Sequence, residues 1–264
     1  MGSEGIESGR EFELPGGPDA ALLLHGLTGS TFEMAPLARR LHEAGLRCLA
    51  PVMAGHAGTP AELARVPWPE WVARAANDLG RLEGARRTFV VGGSMGALVA
   101  CALAHDFPAR VDALVLLSPA LELRLPGRLA ALLGRLPAMR GVVVPKGPGS
   151  DVSDPEMRRR NPCMPGVPLA SIAELVRLQG EVERRLPGIA APALVFAGAK
   201  DHTVTVAGAR RLALRIGSGP AEVVVLPRSF HLVGIDVERE RLATRTVRFL
   251  NELPTPVRSE RQGR

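Results

Sequence analysis

Tyrosine is absent from this chain and tryptophan nearly so: two Trp stand beside seven Phe. That leaves no row of aromatic side chains on which successive bases could stack, so the positive charge balance does not point to single-stranded nucleic acid. The formal excess is +6, from 33 Lys and Arg against 27 Asp and Glu. Arg supplies nearly all of it in dispersed pairs and triplets, the longest being Arg158-Arg159-Arg160. Scattered Arg reads as a solvated surface, with a minor attraction to acidic partners, and no nucleic-acid partner is expected. Cysteine is scarce too. Cys48, Cys101 and Cys163 fit no metal-ligand spacing, so no metal is expected. No apolar run reaches the ~18 residues of a spanning helix, so no stable membrane insertion is expected. The N-terminal M-G-S-E-G-I-E-S lacks the basic and apolar regions of a secretory signal, and a cytoplasmic protein is the expectation.

What is present is an alternation. The 264 residues, 46% of them apolar, suffice for one large α/β domain or for two small ones. Arg10 to Leu14 reads as an edge strand, and Ala20 to Leu24 as a buried strand ending in the Gly-rich turn His25 to Ser30. Phe32 to Ala44 has helical spacing, Leu46 to Val52 is a strand, Gly55 to Pro60 a turn, and Trp68 to Leu82 a helix. Thr88 to Val91 and Val111 to Ser118 are further buried strands. Between Pro119 and Gly188 the rhythm breaks into short Leu-rich helical segments with no clear strand: Leu121 to Leu125, Leu129 to Leu136 and Ser171 to Leu186. It resumes with a strand at Ala193 to Ala197, a helix at Val206 to Ile216, a strand at Glu222 to Leu226 and a helix at Val237 to Leu250. Such alternation predicts a doubly wound, mostly parallel sheet. Residues 1–118 and 189–252 form the expected core, 119–188 a small inserted helical cap, and 253–264 a disordered basic tail.

The stretch Gly92-Gly93-Ser94-Met95-Gly96 lies between a strand and an apolar helix, the context in which G-x-S-x-G becomes a nucleophile turn. Gly92 and Gly96 lack Cβ, so the two arms of the turn can pass close together. A serine hydroxyl needs a base, and the base an orienting acid. His231 follows one late strand and Asp201, in Gly198-Ala199-Lys200-Asp201-His202, follows the strand before it. Nucleophile, acid and base thus come in the order Ser94, Asp201, His231, each in a loop at the carboxyl end of a strand. Asp236 is the rival acid, and the spacing favours Asp201. His25 is read as bracing its Gly-rich turn and His202 as loop packing.

Here the residues carry a resemblance. The chain is similar to the α/β-hydrolase superfamily, and specifically to bacterial carboxylesterases and monoacylglycerol lipases. The matching stretches are L-L-L-H-G-L-T-G (22–29), A-P-V-M-A-G-H-A-G-T (50–59), W-V-A-R-A-A-N-D-L (71–79), G-G-S-M-G-A (92–97), G-S-D-V-S-D-P-E (149–156), A-P-A-L-V-F-A-G-A-K-D-H-T-V (191–204) and S-F-H-L-V-G-I-D (229–236). It departs from the common G-H-G turn at Gly55-His56-Ala57. The resemblance implies an α/β-hydrolase fold, Ser94 as nucleophile, His231 as base, Asp201 as its acid, and an oxyanion hole from the backbone N–H groups of Leu27 and Met95. Met95 N–H is the first donor of a helix, where orphan N–H groups favour an anion.

The expectation is a cofactor-free serine esterase for small lipophilic esters, short- to medium-chain acyl esters and monoacylglycerols among them. A thioesterase, an acyltransferase or a silent ligand receptor on the same fold are the alternatives. Leu121, Leu123, Leu129, Leu132, Leu133, Leu136 and Leu175 are the expected pocket lining, and Arg158 to Arg160 the competing pull toward acidic substrates. Oligomeric state is not legible.

Overall fold

A computed structural model describes residues 7–146, 151–217, 219 and 221–254. The expected basic tail therefore lies, from residue 255 onward, outside the described residues. The chain opens with β1 (Phe12–Leu14) and β2 (Asp19–Leu24), followed by a 3₁₀ turn (Thr31–Met34) and helix α1 (Ala35–Glu43). The sequence predicted one helix from Phe32. Pro36 has no N–H to give to the carbonyl four residues back, so the α-helix begins only beside it, with Pro in the first turn. Then come β3 (Arg47–Ala50), a short helix α2 (Pro60–Leu63) and α3 (Trp68–Gly80). Helix α2 follows the expected turn, in a stretch the sequence reading leaves unassigned. A reciprocal capping box between Thr59 and Glu62 starts it.

Strand β4 (Arg87–Gly93) leads into α4 (Met95–Asp106), which is buried on every side from Met95 to Ala104. A helix apolar all round belongs in the interior, and α4 packs between the sheet, α3 and the later α7. After β5 (Ala113–Leu117) the inserted stretch contributes α5 (Leu125–Leu133), β6 (Val143–Pro145), α6 (Pro155–Arg160), β7 (Gly166–Pro168) and α7 (Leu169–Arg185). The expectation of no strand there is corrected. β6 and β7 pair antiparallel as a small ribbon, each only three residues long and ending in Pro, too short to show a period of two. Leu121 and Leu123 are also not helical. Both are buried, and Leu123 forms an isolated antiparallel bridge with Val204. Strand β8 (Ala193–Gly198), α8 (Val206–Arg215), β9 (Glu222–Leu226) and α9 (Arg239–Glu252) complete the order.

The seven-stranded sheet runs β1-β3-β2-β4-β5-β8-β9, parallel throughout except for the edge strand β1. Its inner strands are buried on both faces, and alternate residues serve two cores. Leu22, Leu24 and Val90 face the layer of α3, α4 and α7, whereas Leu23, Phe89 and Val91 face the layer of α1 and α9. Because every inner strand points the same way, the loops after β2, β4, β8 and β9 gather at one edge, where parallel sheets hold their ligands. No helix among the described residues is long and apolar enough to cross a membrane.

Candidate active site

The turn after β4 holds Ser94 at φ 52°, ψ −111°, a conformation L residues avoid. Strain of this kind costs on the order of 1–3 kcal/mol and persists only where the surroundings dictate it. They do. Ser94 N–H donates to Leu117 O (2.8 Å), and Ser94 O accepts from Ala97 and Ala120 N–H (3.2 Å each). A Cβ at Gly92 would lie 2.2 Å from Gly96 O, and one at Gly96 2.2 Å from Leu24 O, so only glycine fits either arm.

The structure brings the three predicted side chains into one hydrogen-bonded chain. Ser94 Oγ is 2.9 Å from His231 Nε2, and His231 Nδ1 is 2.7 Å from Asp201 Oδ2. The other carboxylate oxygen of Asp201 accepts Thr203 N–H (2.7 Å) and Val204 N–H (2.8 Å). With a carboxylate on Nδ1, that nitrogen carries the proton and Nε2 faces the serine as acceptor. Burial by itself depresses the His231 imidazole. The Asp201 charge and hydrogen bond override it, with Asp151 and Glu33 adding, and the net shift is upward. Burial likewise lifts Asp201, yet His231 and the two backbone N–H donors hold it below its ordinary value.

The two predicted oxyanion donors sit beside this chain. Met95 N–H opens α4, and Leu27 lies in the turn after β2. Among the described residues neither N–H is taken up by a protein acceptor. His25 pins that turn: its Nδ1 donates to Gly26 O (2.9 Å) while Nε2 accepts Met53 N–H (3.1 Å). Burial, with the neighbouring His56, pushes His25 down to about 3, so it stays a neutral brace. His202 is engaged elsewhere, with Asp151 (2.7 Å) and edge-on to Phe230.

Asp236, the rival acid, does not reach His231. Its carboxylate accepts N–H groups from Ser153, Asp154, Phe230 and Val237, binding the inserted stretch to the His231 loop. Asp151 adds to that strap: its carbonyl accepts the N–H groups of His231 and Leu232 (3.1 Å each).

A cavity of about 370 Å³ opens above Ser94. Its lining combines the apolar side chains of Leu123, Val167, Ile172, Leu175 and Leu232 with the polar ones of Glu33, Lys146, Asp151 and His202. Of the leucines expected there, Leu123 and Leu175 line it. Leu121 is packed in the core, and Leu129, Leu132, Leu133 and Leu136 point outward, 45% to 56% exposed. The cation that lines the cavity is Lys146. Arg158 is spent on Val152 O (2.8 Å), and Arg160 pairs with Glu7 and Glu156. Sequence reasoning missed Glu33, Lys146, Asp151 and Asn161. The one local hint was a lone acid between Phe32 and Met34.

A serine in a strained strand–turn–helix, hydrogen-bonded to a histidine and an aspartate in the loops after β9 and β8, is the arrangement of an enzyme of the α/β-hydrolase fold. The chain belongs to the Hydrolase_4 family, described as serine aminopeptidase, S33, whose profile matches residues 18–238. Among curated proteins it is 30% identical to a thermostable monoacylglycerol lipase of Bacillus sp. (strain H-257) over 248 residues, 92% of this chain and 95% of that one. It is 24% identical to a carboxylesterase of Bacillus subtilis (strain 168), over 92% of this chain and 97% of that one. Among solved structures, one from work on the metagenome-derived lipolytic enzymes LipS and LipT superimposes with a TM-score of 0.84 at 27% identity, covering 93% and 98% of the two chains.

Proposed function

We propose that the protein hydrolyses carboxylic esters carrying a single short- to medium-length acyl chain, monoacylglycerols among them, through an acyl-enzyme. The observation that carries this reading is the Ser94–His231–Asp201 chain opening onto a cavity lined in large part by apolar side chains. Ser94 Oγ attacks the ester carbonyl and its proton passes to His231 Nε2. Leu27 and Met95 N–H receive the developing oxyanion, a contribution commonly worth roughly 3–4 kcal/mol per donor. His231 returns the proton to the leaving alcohol, takes one from the water that attacks the acyl carbon, and gives it to Ser94 Oγ as the acyl–oxygen bond breaks and the acid departs. The stretch 119–188 acts as a cap over residues 1–118 and 189–252, and its leucines and Ile172 take the acyl chain. At about 370 Å³ the cavity lies at the small end of ligand pockets, room for one chain and not for the three of a triacylglycerol. The monoacylglycerol lipase and carboxylesterase names of the relatives support the same substrate class.

The test compares p-nitrophenyl esters of graded length, a monoacylglycerol, a triacylglycerol, an acyl-CoA and an aminoacyl p-nitroanilide, alongside labelling by a fluorophosphonate. Simple esters and the monoacylglycerol should be turned over best, with Ser94→Ala unlabelled, folded and at least ~10⁴-fold slower in kcat. Preference for triacylglycerol, acyl-CoA or the anilide refutes the substrate reading. Undiminished labelling of Ser94→Ala refutes the nucleophile.

A further inference from the structure

Glu33 is a buried carboxyl beside the site that the chemistry above does not use. Its Oε2 accepts Gly26 N–H at 3.2 Å, and its other oxygen packs so closely on Gly29 that a Cβ there would lie 2.2 Å away. Asn161 of the cap donates to the same carboxyl. A Cβ at Gly26 would stand 3.2 Å from Ser94 Cβ, a tight contact that disfavours a side chain there. Glycine leaves the backbone free just where the peptide joining Gly26 to Leu27 carries the Leu27 N–H. That peptide's carbonyl is fixed by His25 Nδ1 (2.9 Å) and Gly29 N–H (3.1 Å). Among the described residues, the N–H on the other side of Gly26 is fixed by Glu33 alone.

We infer that Glu33 is a positioning residue which, by accepting Gly26 N–H, aims the Leu27 N–H at the oxyanion. The inference rests on the proposed roles of Ser94 and Leu27. Burial pushes the Glu33 carboxyl upward, toward the neutral form, against the opposing pull of Lys146, Gly26 N–H, His231 and Asn161.

The experiment uses Glu33→Gln, whose amide oxygen can still accept Gly26 N–H, and Glu33→Met, which removes the acceptor at similar volume. Each is assayed for kcat and KM on a p-nitrophenyl ester and for binding of two inhibitors. One is a trifluoromethyl ketone, to which Ser94 Oγ adds while its proton goes to His231, leaving an oxyanion; the other is the matching ether, which forms none. Glu33→Gln should stay within about 5-fold of the parent. Glu33→Met should lose roughly 10–100-fold in kcat, a fraction of the 10²–10³ that losing an oxyanion donor outright costs. Its ketone affinity should fall in step while ether affinity and KM hold. Should Glu33→Met not fold, Glu33→Asp withdraws the acceptor by one methylene and should show the same split. Parent-like kcat and ketone affinity in Glu33→Met, or equal losses for ketone and ether, overturn the inference. A parent enzyme that a fluorophosphonate does not label at Ser94 would instead overturn the reading beneath it.

Discussion

Asp201 and Asp236 are both buried acids near His231, and replacing each by Asn should separate positioning of His231, the proposed base, from anchoring of residues 153 and 154. Asp236 Oδ1 accepts Asp154 N–H (3.0 Å) and Val237 N–H (2.8 Å), Oδ2 accepts Phe230 N–H (2.7 Å), and Ser153 N–H is shared at 3.1 Å. An Asn amide has one acceptor oxygen, so whichever way it turns, its NH₂ meets at least one backbone N–H head-on. Hydrogen bonds to a charged group are worth about 1.5–3 kcal/mol each, and a buried donor left unpaired adds its own penalty. Losing one such bond and orphaning one donor gives about 3–5 kcal/mol of destabilisation. For a domain of this size that lowers Tm by on the order of 10 °C. The effect on kcat should stay below ~10-fold, since Phe230 is only the neighbour of His231. Asp201→Asn behaves in the opposite way. Its oxygen can keep Thr203 and Val204 N–H, while its NH₂ faces His231 Nδ1 and imposes the tautomer that cannot accept the serine proton. The cost should be near 10⁴ in kcat with little change in Tm. Thermal melts and kcat on one p-nitrophenyl ester measure both variants. If Asp236→Asn loses the activity and Asp201→Asn the stability, the acid has been misassigned.

Other consequences are simpler to read. The raised His231 should place the acid limb of kcat/KM above the ordinary 6.5, with activity rising as pH climbs through it. Asp151→Asn should move that limb down, because Asp151 helps to raise His231, and an unmoved limb would refute the electrostatic account. Burial holds His25 at about 3 and His56 at about 4, both depressed, so their stabilisation is complete above 6.5 and is lost as pH falls below it. Between 6.5 and the folded values the unfolded chain binds protons that the folded one refuses, costing roughly 1.4 kcal/mol per pH unit for each histidine. Urea midpoints at pH 7 and pH 5 measure the loss, and equal midpoints would contradict it. Filling the cavity with Ile172→Trp should shift the chain-length optimum to shorter p-nitrophenyl esters, each excluded methylene forfeiting ~0.8 kcal/mol.

By itself the sequence determined what depends on neighbours along the chain. The alternation of apolar strands with helices dictated a parallel sheet, and one direction of all inner strands dictated that the loops of Leu27, Ser94, Asp201 and His231 share an edge. The G-x-S-x-G turn was legible because its steric demands fall within five residues. Local pattern also misled. The leucines of 119–188 are apolar at helical spacing, and nothing nearby in sequence says that Leu123 and Leu175 turn inward while Leu129, Leu132, Leu133 and Leu136 face out. That sorting is made by what α5 and α7 pack against. Tertiary structure alone decided that Asp236 serves Ser153 and Asp154 some eighty residues earlier. It alone brought Asp151 to the His231 loop, and placed Glu33 beneath Gly26 with Asn161 behind it. A buried carboxyl is defined by the partners that surround it, and those partners are neighbours only once the chain has folded.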